Sequence, residues 1–219
     1  MEKDKIKGII FDLDGTLFNS EYYQWKSWAK PLKNLGINLT KEDYCCYTGK
    51  NRKIVEKELI KKFNLNLKSG ILLNDKKRLI EKWSNEKKMD LMPYSKETVE
   101  FFVNNPNFIV ALCSGGNRIE TMAKLKNNNF LKYFSIIISG DDVKKGKPNP
   151  EIYLLTIKKM GLKPKKCLAF EDTQYGLTAA KSAGINCFSI PNEYTLNQNF
   201  SNADKVLSSL KEAIDFFKN

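Results

Sequence analysis

Histidine is absent from the 219-residue chain. Without it there can be no Ser-His-Asp hydrolysis, no H-E-x-x-H metalloprotease and no phosphohistidine chemistry. Arginine is scarce: Arg52, Arg78 and Arg118 are its only representatives, so the net charge of +12 comes almost wholly from lysines scattered from end to end. Sequence-specific readers of nucleic acid lean on arginine's planar fork and on a clustered basic face. Neither is present, so no nucleic-acid partner is expected, and the lysines read as a solvated surface whose field helps attract anionic substrates. The cysteines, Cys45, Cys46, Cys113, Cys167 and Cys187, are odd in number and form no C-x-x-C pair. A disulfide framework is therefore not expected; three of them lie in apolar runs, where a reduced thiol acts as a small hydrophobe. No apolar run approaches the roughly 20 residues a membrane span requires. The opening MEKDKIKG lacks a signal peptide's apolar stretch. These absences lead us to expect a cytoplasmic protein with no membrane partner; a monomer is the default expectation.

What is present is a succession of short apolar runs: IKGIIF (6–11), FIVALC (108–113), FSIIIS (134–139), KCLAFE (166–171) and INCFSI (185–190). Their length and flanks are those of buried strands. Between the later ones lie helical patterns, RIETMAKLKNNN, PEIYLLTIKKMG and TQYGLTAAKSAG. Strand alternating with helix predicts an α/β fold with a parallel sheet covered on both faces. Residues 18–87 break the alternation, with Tyr22, Trp25, Trp28, Ala29, Leu32 and Leu35, then Val55, Leu59 and Phe63, then Leu72, Leu79, Ile80 and Trp83 recurring at helical spacing. This predicts a helical insertion whose aromatics form core rather than cofactor contacts.

FDLDGTLFNS (11–20) follows the first run and puts Asp12 and Asp14 one residue apart. An unpaired carboxylate inside an apolar strand costs several kcal/mol. The pair therefore belongs at the strand's end, where Gly15 and Thr16 break the run. It serves a metal or general acid/base site, or else it is a solvated Asp-Gly turn, and the fragment alone leaves both open. Ligands of an open parallel sheet bind beyond the carboxyl ends of its strands. In order, those ends carry Asp12 and Asp14, then Ser114 with Gly115 and Gly116, then DDVKKGKPNP (141–150) with Lys147, then Glu171 and Asp172.

Together these groups suit phosphoryl transfer, in which catalysis is largely positioning and charge stabilisation. Asp12, Asp14 and Asp172 offer the hard oxygen ligands that Mg²⁺ prefers. Ser114 and the N–H groups of Gly115 and Gly116 can cradle a phosphate, and Lys147 adds positive charge. With no histidine and no cysteine motif, the nucleophile should be a carboxylate, one aspartate attacking phosphorus while the other protonates the leaving oxygen and later activates water. An EF-hand is excluded, since D-L-D-G lacks that loop's third ligand and terminal glutamate.

FDLDGT, Ser114 at a strand end, Lys147 in KGKPNPEIY, and FEDTQYGLTAAKSAG resemble the motifs of the haloacid dehalogenase superfamily, in its subgroup with a helical cap after the first motif. The resemblance covers nearly the whole chain. It implies a Rossmann-like core (1–17 and 88–219) beneath a helical cap (18–87). It implies Asp12 as nucleophile, Asp14 as general acid/base, and Ser114 and Lys147 on the phosphoryl group. Mg²⁺ would be bound by Asp12, the Asp14 backbone carbonyl and Asp172, with Glu171 ranked behind them. Haloacid dehalogenases proper do not have the second aspartate; here it is Asp14. Phosphonoacetaldehyde hydrolases place a lysine three residues after a cap glycine, where TGKNR has Arg52. The beta-phosphoglucomutase-like branch does carry an arginine there, but its histidine and lysine are replaced here by Gln24 and Asn117. The favoured expectation is a phosphatase of a small phosphorylated metabolite, a sugar or polyol phosphate. Gly49, Lys50 and Arg52 are expected to reach toward its leaving group, and Gln24 and Asn117 are further substrate-site candidates. A phosphosugar mutase is the alternative, and a catalytically inactive binding protein of the same fold a second one. For Arg52 a surface charge at a helix start is the competing account.

Overall fold

The computed structural model describes residues 2–86 and 89–218. Each expected apolar run contains a strand: β1 (Gly8–Phe11), β2 (Ile109–Cys113), β3 (Ile136–Ile138), β4 (Cys167–Glu171) and β5 (Asn186–Ser189). A sixth, β6 (Lys205–Val206), is two residues long and carries no periodicity to read. All pair in parallel, in the order β3-β2-β1-β4-β5-β6. This is the Rossmann-like α/β arrangement, and the direction of winding reverses between β1 and β4. Such a reversal opens a crevice beyond the strand ends where ligands bind.

Period-two alternation sends successive side chains to opposite faces. Ile9, Phe11, Val110, Leu112, Leu168, Phe170 and Phe188 pack on one face. Phe11 stacks on Phe170 there, with ring centroids 5.1 Å apart. Ile10, Ala111, Cys113, Cys167, Ala169 and Cys187 pack on the other. The three strand cysteines therefore share one small-residue face, beneath α7 (Glu151–Met160) and α8 (Gln174–Ser182). The opposite face is covered by α5 (Ser95–Val103) and α9 (Lys211–Lys218).

Between β1 and α5 lies an inserted helical cap, α1 (Glu21–Lys33), α2 (Lys41–Cys45), α3 (Arg52–Lys62) and α4 (Ile71–Glu86). It has its own core of Trp28, Leu32, Leu39, Tyr44, Val55, Leu59 and Leu72, and α4 packs on α6 (Arg118–Asn127) of the sheet layer. Tyr22 and Leu35 depart from expectation, at 48% and 47% exposed. Leu35 lies beyond the last turn of α1, and Tyr22 is on the solvent side, edge-on to Trp25. Phe18 packs with the sheet-side cluster, 5.2 Å from the Phe130 ring. The expected boundary at 87/88 lies outside the described residues. Among the described residues, no helix is long and apolar enough to cross a membrane.

Candidate active site

Asp12 follows β1, and Glu171 ends β4, with Asp172 next in the chain. Because β1 and β4 are hydrogen-bonded neighbours, these groups meet at the reversal point. One oxygen from each of Asp12, Glu171 and Asp172 lies within 4.8 Å of the others, all three residues being buried. Lys147 Nζ bridges Asp12 and Glu171 at 2.5 Å each, and Tyr153 donates its hydroxyl to the same Glu171 oxygen, also at 2.5 Å. Asn192 Nδ2 bonds Asp172 at 2.8 Å and the Gly15 carbonyl at 3.2 Å, tying the two carboxylate loops together.

Two glycines make this packing possible. A Cβ on Gly15, whose φ is +80°, would sit 2.0 Å from Asp172 Oδ2. One on Gly176 would sit 1.9 Å from Glu171 Oε2.

The cluster is electrostatically unfinished. Burial drives the Asp12 and Asp172 carboxyls well above the usual range; Lys147 opposes this at Asp12, while the charges of Asp12, Glu21 and Glu171 add to it at Asp172. Burial works against the charge of Lys147, yet Asp12 and Glu171 hold it well above its ordinary value. Among the described residues, Glu171 Oε2 has no hydrogen-bond partner, although it is buried. One ammonium among three hard carboxylates leaves a deficit of positive charge, and a divalent cation fits that donor set.

Asp14 stands apart from the three. Its Oδ1 accepts from Ser20, at the start of α1, and, at 2.5 Å, from Lys124 of α6. Glu171, ranked behind the aspartates from the sequence, contributes an oxygen to the cluster alongside Asp12 and Asp172.

Above these groups is a chamber of about 640 Å³, within the usual range for small-molecule sites. Every expected site residue lines it except Ser114 and Glu171: Asp12, Asp14, Asp172, Lys147, Gly115, Gly116, Asn117, Gln24, Gly49, Lys50 and Arg52. Ser114 is 1% exposed, just behind the lining, and its Oγ accepts from the Gly116 N–H at 3.0 Å. Gly49 lies against Thr173, and Lys50 pairs with Glu58 at 2.8 Å. Asn51, Asn117 and Thr173, all lining the chamber, cap α3, α6 and α8 through their side chains. Helix N-termini at its wall favour an anionic ligand.

Several groups that line the chamber, as Lys76, Glu21 and Tyr44 do, or are packed behind its lining were missed by sequence reasoning. Lys76, 2% exposed, donates to Gln24 Oε1 at 2.7 Å, and burial together with the Arg52 charge pushes it down to about 7. Lys124 ion-pairs with Asp14 at 2.5 Å and Glu120 at 2.7 Å. Glu120 accepts from Gln24 and Arg52 as well, at 2.9 Å each. Tyr153, Asn192, Glu21 and Tyr44 complete the set. The available signal was a charged residue on an apolar helix phase, as at Lys76 between Leu72 and Ile80.

The family model described as haloacid dehalogenase-like hydrolase matches residues 9–190. The phosphorylated carbohydrates phosphatase of Thermotoga maritima is 31% identical over 185 residues, 82% of each chain. The structure of a CbbY mutant from Rhodobacter sphaeroides in complex with xylulose-(1,5)bisphosphate is 25% identical, with a TM-score of 0.78 and coverage of 94% of this chain and 96% of that one. A predicted phosphoglycolate phosphatase from Haemophilus somnus 129pt shares the fold at a TM-score of 0.83 and 22% identity, over 97% of this chain and 98% of that one.

Proposed function

The chain belongs to the haloacid dehalogenase-like hydrolase family and is a phosphoric monoester hydrolase, and from that premise we propose that it hydrolyses a small sugar or polyol phosphate, with Mg²⁺, through a phosphoryl group carried on Asp12. The observation that carries this is the meeting of Asp12, Lys147, Glu171 and Asp172 beneath a chamber roofed by the inserted helices. The relative that acts on phosphorylated carbohydrates supports the substrate class. In this reading residues 18–87 are a cap over a core of 1–17 and 88–219, working as a cytoplasmic monomer.

The Asp12 carboxylate attacks phosphorus, the bond to the leaving oxygen breaks, and Asp14 supplies that oxygen's proton. Both bonds to Asp14 land on Oδ1, which leaves Oδ2 for the transfer. Asp14 then takes a proton from water, whose oxygen attacks the phosphorus and releases Asp12 and inorganic phosphate. Ser114 accepts from Gly116, so its own proton remains for a phosphoryl oxygen, while Lys147 balances charge on Asp12. Asp12, the Asp14 backbone carbonyl and Asp172, with Glu171 beside them, would hold Mg²⁺, which when bound offsets the negative charge of phosphate and nucleophile. The cap excludes bulk water and lets substrate in by opening.

The test is phosphate release from a panel of sugar, polyol and nucleotide monophosphates, with Mg²⁺ and with EDTA. Release confined to the Mg²⁺ arm and fastest on sugar or polyol phosphates is expected. Undiminished release in EDTA would overturn the metal requirement, and a preference for nucleotides would overturn the substrate class.

A further inference from the structure

Arg52 enters the chamber from the first turn of α3, where a free guanidinium would recognise the second phosphate of a bisphosphate. It is not free. Its Nη2 donates to Glu120 Oε2 at 2.9 Å, and the Glu120 side chain is fully buried. The other oxygen of Glu120 accepts from Gln24 at 2.9 Å and from Lys124 at 2.7 Å. The Glu120 backbone N–H is in turn bound by the Asn117 side chain at 2.7 Å. Burial alone would favour a protonated Glu120, but Arg52, Lys124 and Lys76 hold it ionised.

Three cations near Arg52 are engaged too. Lys124 is shared between Glu120 and Asp14, Lys50 pairs with Glu58, and Lys76 donates to the Gln24 amide. A second phosphate at Arg52 would have to displace a buried carboxylate held from several sides, or sit against its charge. Like charges in a buried site exclude one another. The wall offers hydroxyl-bonding groups instead, the Tyr44 hydroxyl and the Glu21 carboxyl beside it.

We propose that Glu120 is a specificity-determining residue, neutralising Arg52 so that the enzyme takes monophosphates with an uncharged leaving group and refuses bisphosphates. This rests on the phosphatase reading of the same site. The bisphosphate held by the CbbY relative is the kind of ligand this chamber turns away.

The experiment compares kcat/KM for matched pairs: fructose 1-phosphate with fructose 1,6-bisphosphate, glucose 1-phosphate with glucose 1,6-bisphosphate, and xylulose 5-phosphate with xylulose 1,5-bisphosphate. The wild-type protein should favour the monophosphate by tenfold or more. Glu120→Gln should move that ratio at least tenfold toward the bisphosphate, and adding Arg52→Gln should remove the gain. A ratio within one protein does not depend on its active fraction, so partial misfolding of a variant leaves the comparison intact. A wild type that favours the bisphosphate, or a ratio that Glu120→Gln leaves unmoved, overturns the proposal alone. A protein silent on every pair and on p-nitrophenyl phosphate overturns the phosphatase reading and the proposal with it.

Discussion

Glu21 begins α1 with its carboxyl buried against the Tyr44 hydroxyl, and burial, with Asp14 nearby, pushes it up to about 7 from an ordinary 4.5. The folded chain thus keeps a proton that the unfolded chain releases. Its contribution to stability is full below pH 4.5 and is lost as the pH rises through about 7. Glu21→Gln has no proton to lose, so in metal-free protein its stability relative to wild type should grow over that window by up to about 3 kcal/mol. Urea midpoints at several pH values measure this, and a pH-independent difference would contradict it. Glu21 also illustrates which residues were legible. Asp12, Asp14, Glu171 and Asp172 stood out because each closes an apolar run, where charge needs a reason. Glu120 and Lys124 did not, because a Glu and a Lys four apart also suit a solvated helix face. The tertiary contacts of α6 with α1, α3, α4 and Asp14 make that pair a buried one.

At the scale of elements, helix α8 must approach β4 closely enough for Glu171 to lie against Gly176. Glycine to alanine within a helix ordinarily gains about 0.5–1 kcal/mol. Here the added Cβ would meet the Glu171 carboxylate at 1.9 Å, and such overpacking costs about 1–3 kcal/mol. Gly176→Ala should therefore lower the melting temperature and, by displacing Glu171, raise the Mg²⁺ concentration needed for half-maximal activity. A raised melting temperature with an unchanged metal titration would contradict this. The longer elements were legible from periodicity. Helices α5 and α9, of 9 and 8 residues, were not anticipated, although α8, also of 9 residues, was. The five-residue α2 is little more than one turn, too short to show a period.

Across the whole molecule, the site exists only where cap and sheet meet. Gln198 reaches across to the Thr48 carbonyl at 3.1 Å, and the Tyr44 and Tyr194 rings lie 6.3 Å apart. Strand order was not legible, since alternation predicts a parallel sheet without saying where its winding reverses. The net charge of +12 belongs to this scale as well. Screening by salt shortens the reach of that field to about 8 Å at 0.15 M. For an anionic substrate, kcat/KM should fall several-fold between low and physiological salt while kcat holds, and a salt-independent kcat/KM would remove any steering role for the lysines. The most direct test of the proposed chemistry is to quench the enzyme during turnover, reduce it with borohydride and locate the product by peptide mass spectrometry. Reduction of an acyl phosphate to homoserine at position 12 is expected, only in samples given substrate; reduction at Asp14 or another carboxylate, or none during active turnover, would contradict the role of Asp12 as nucleophile.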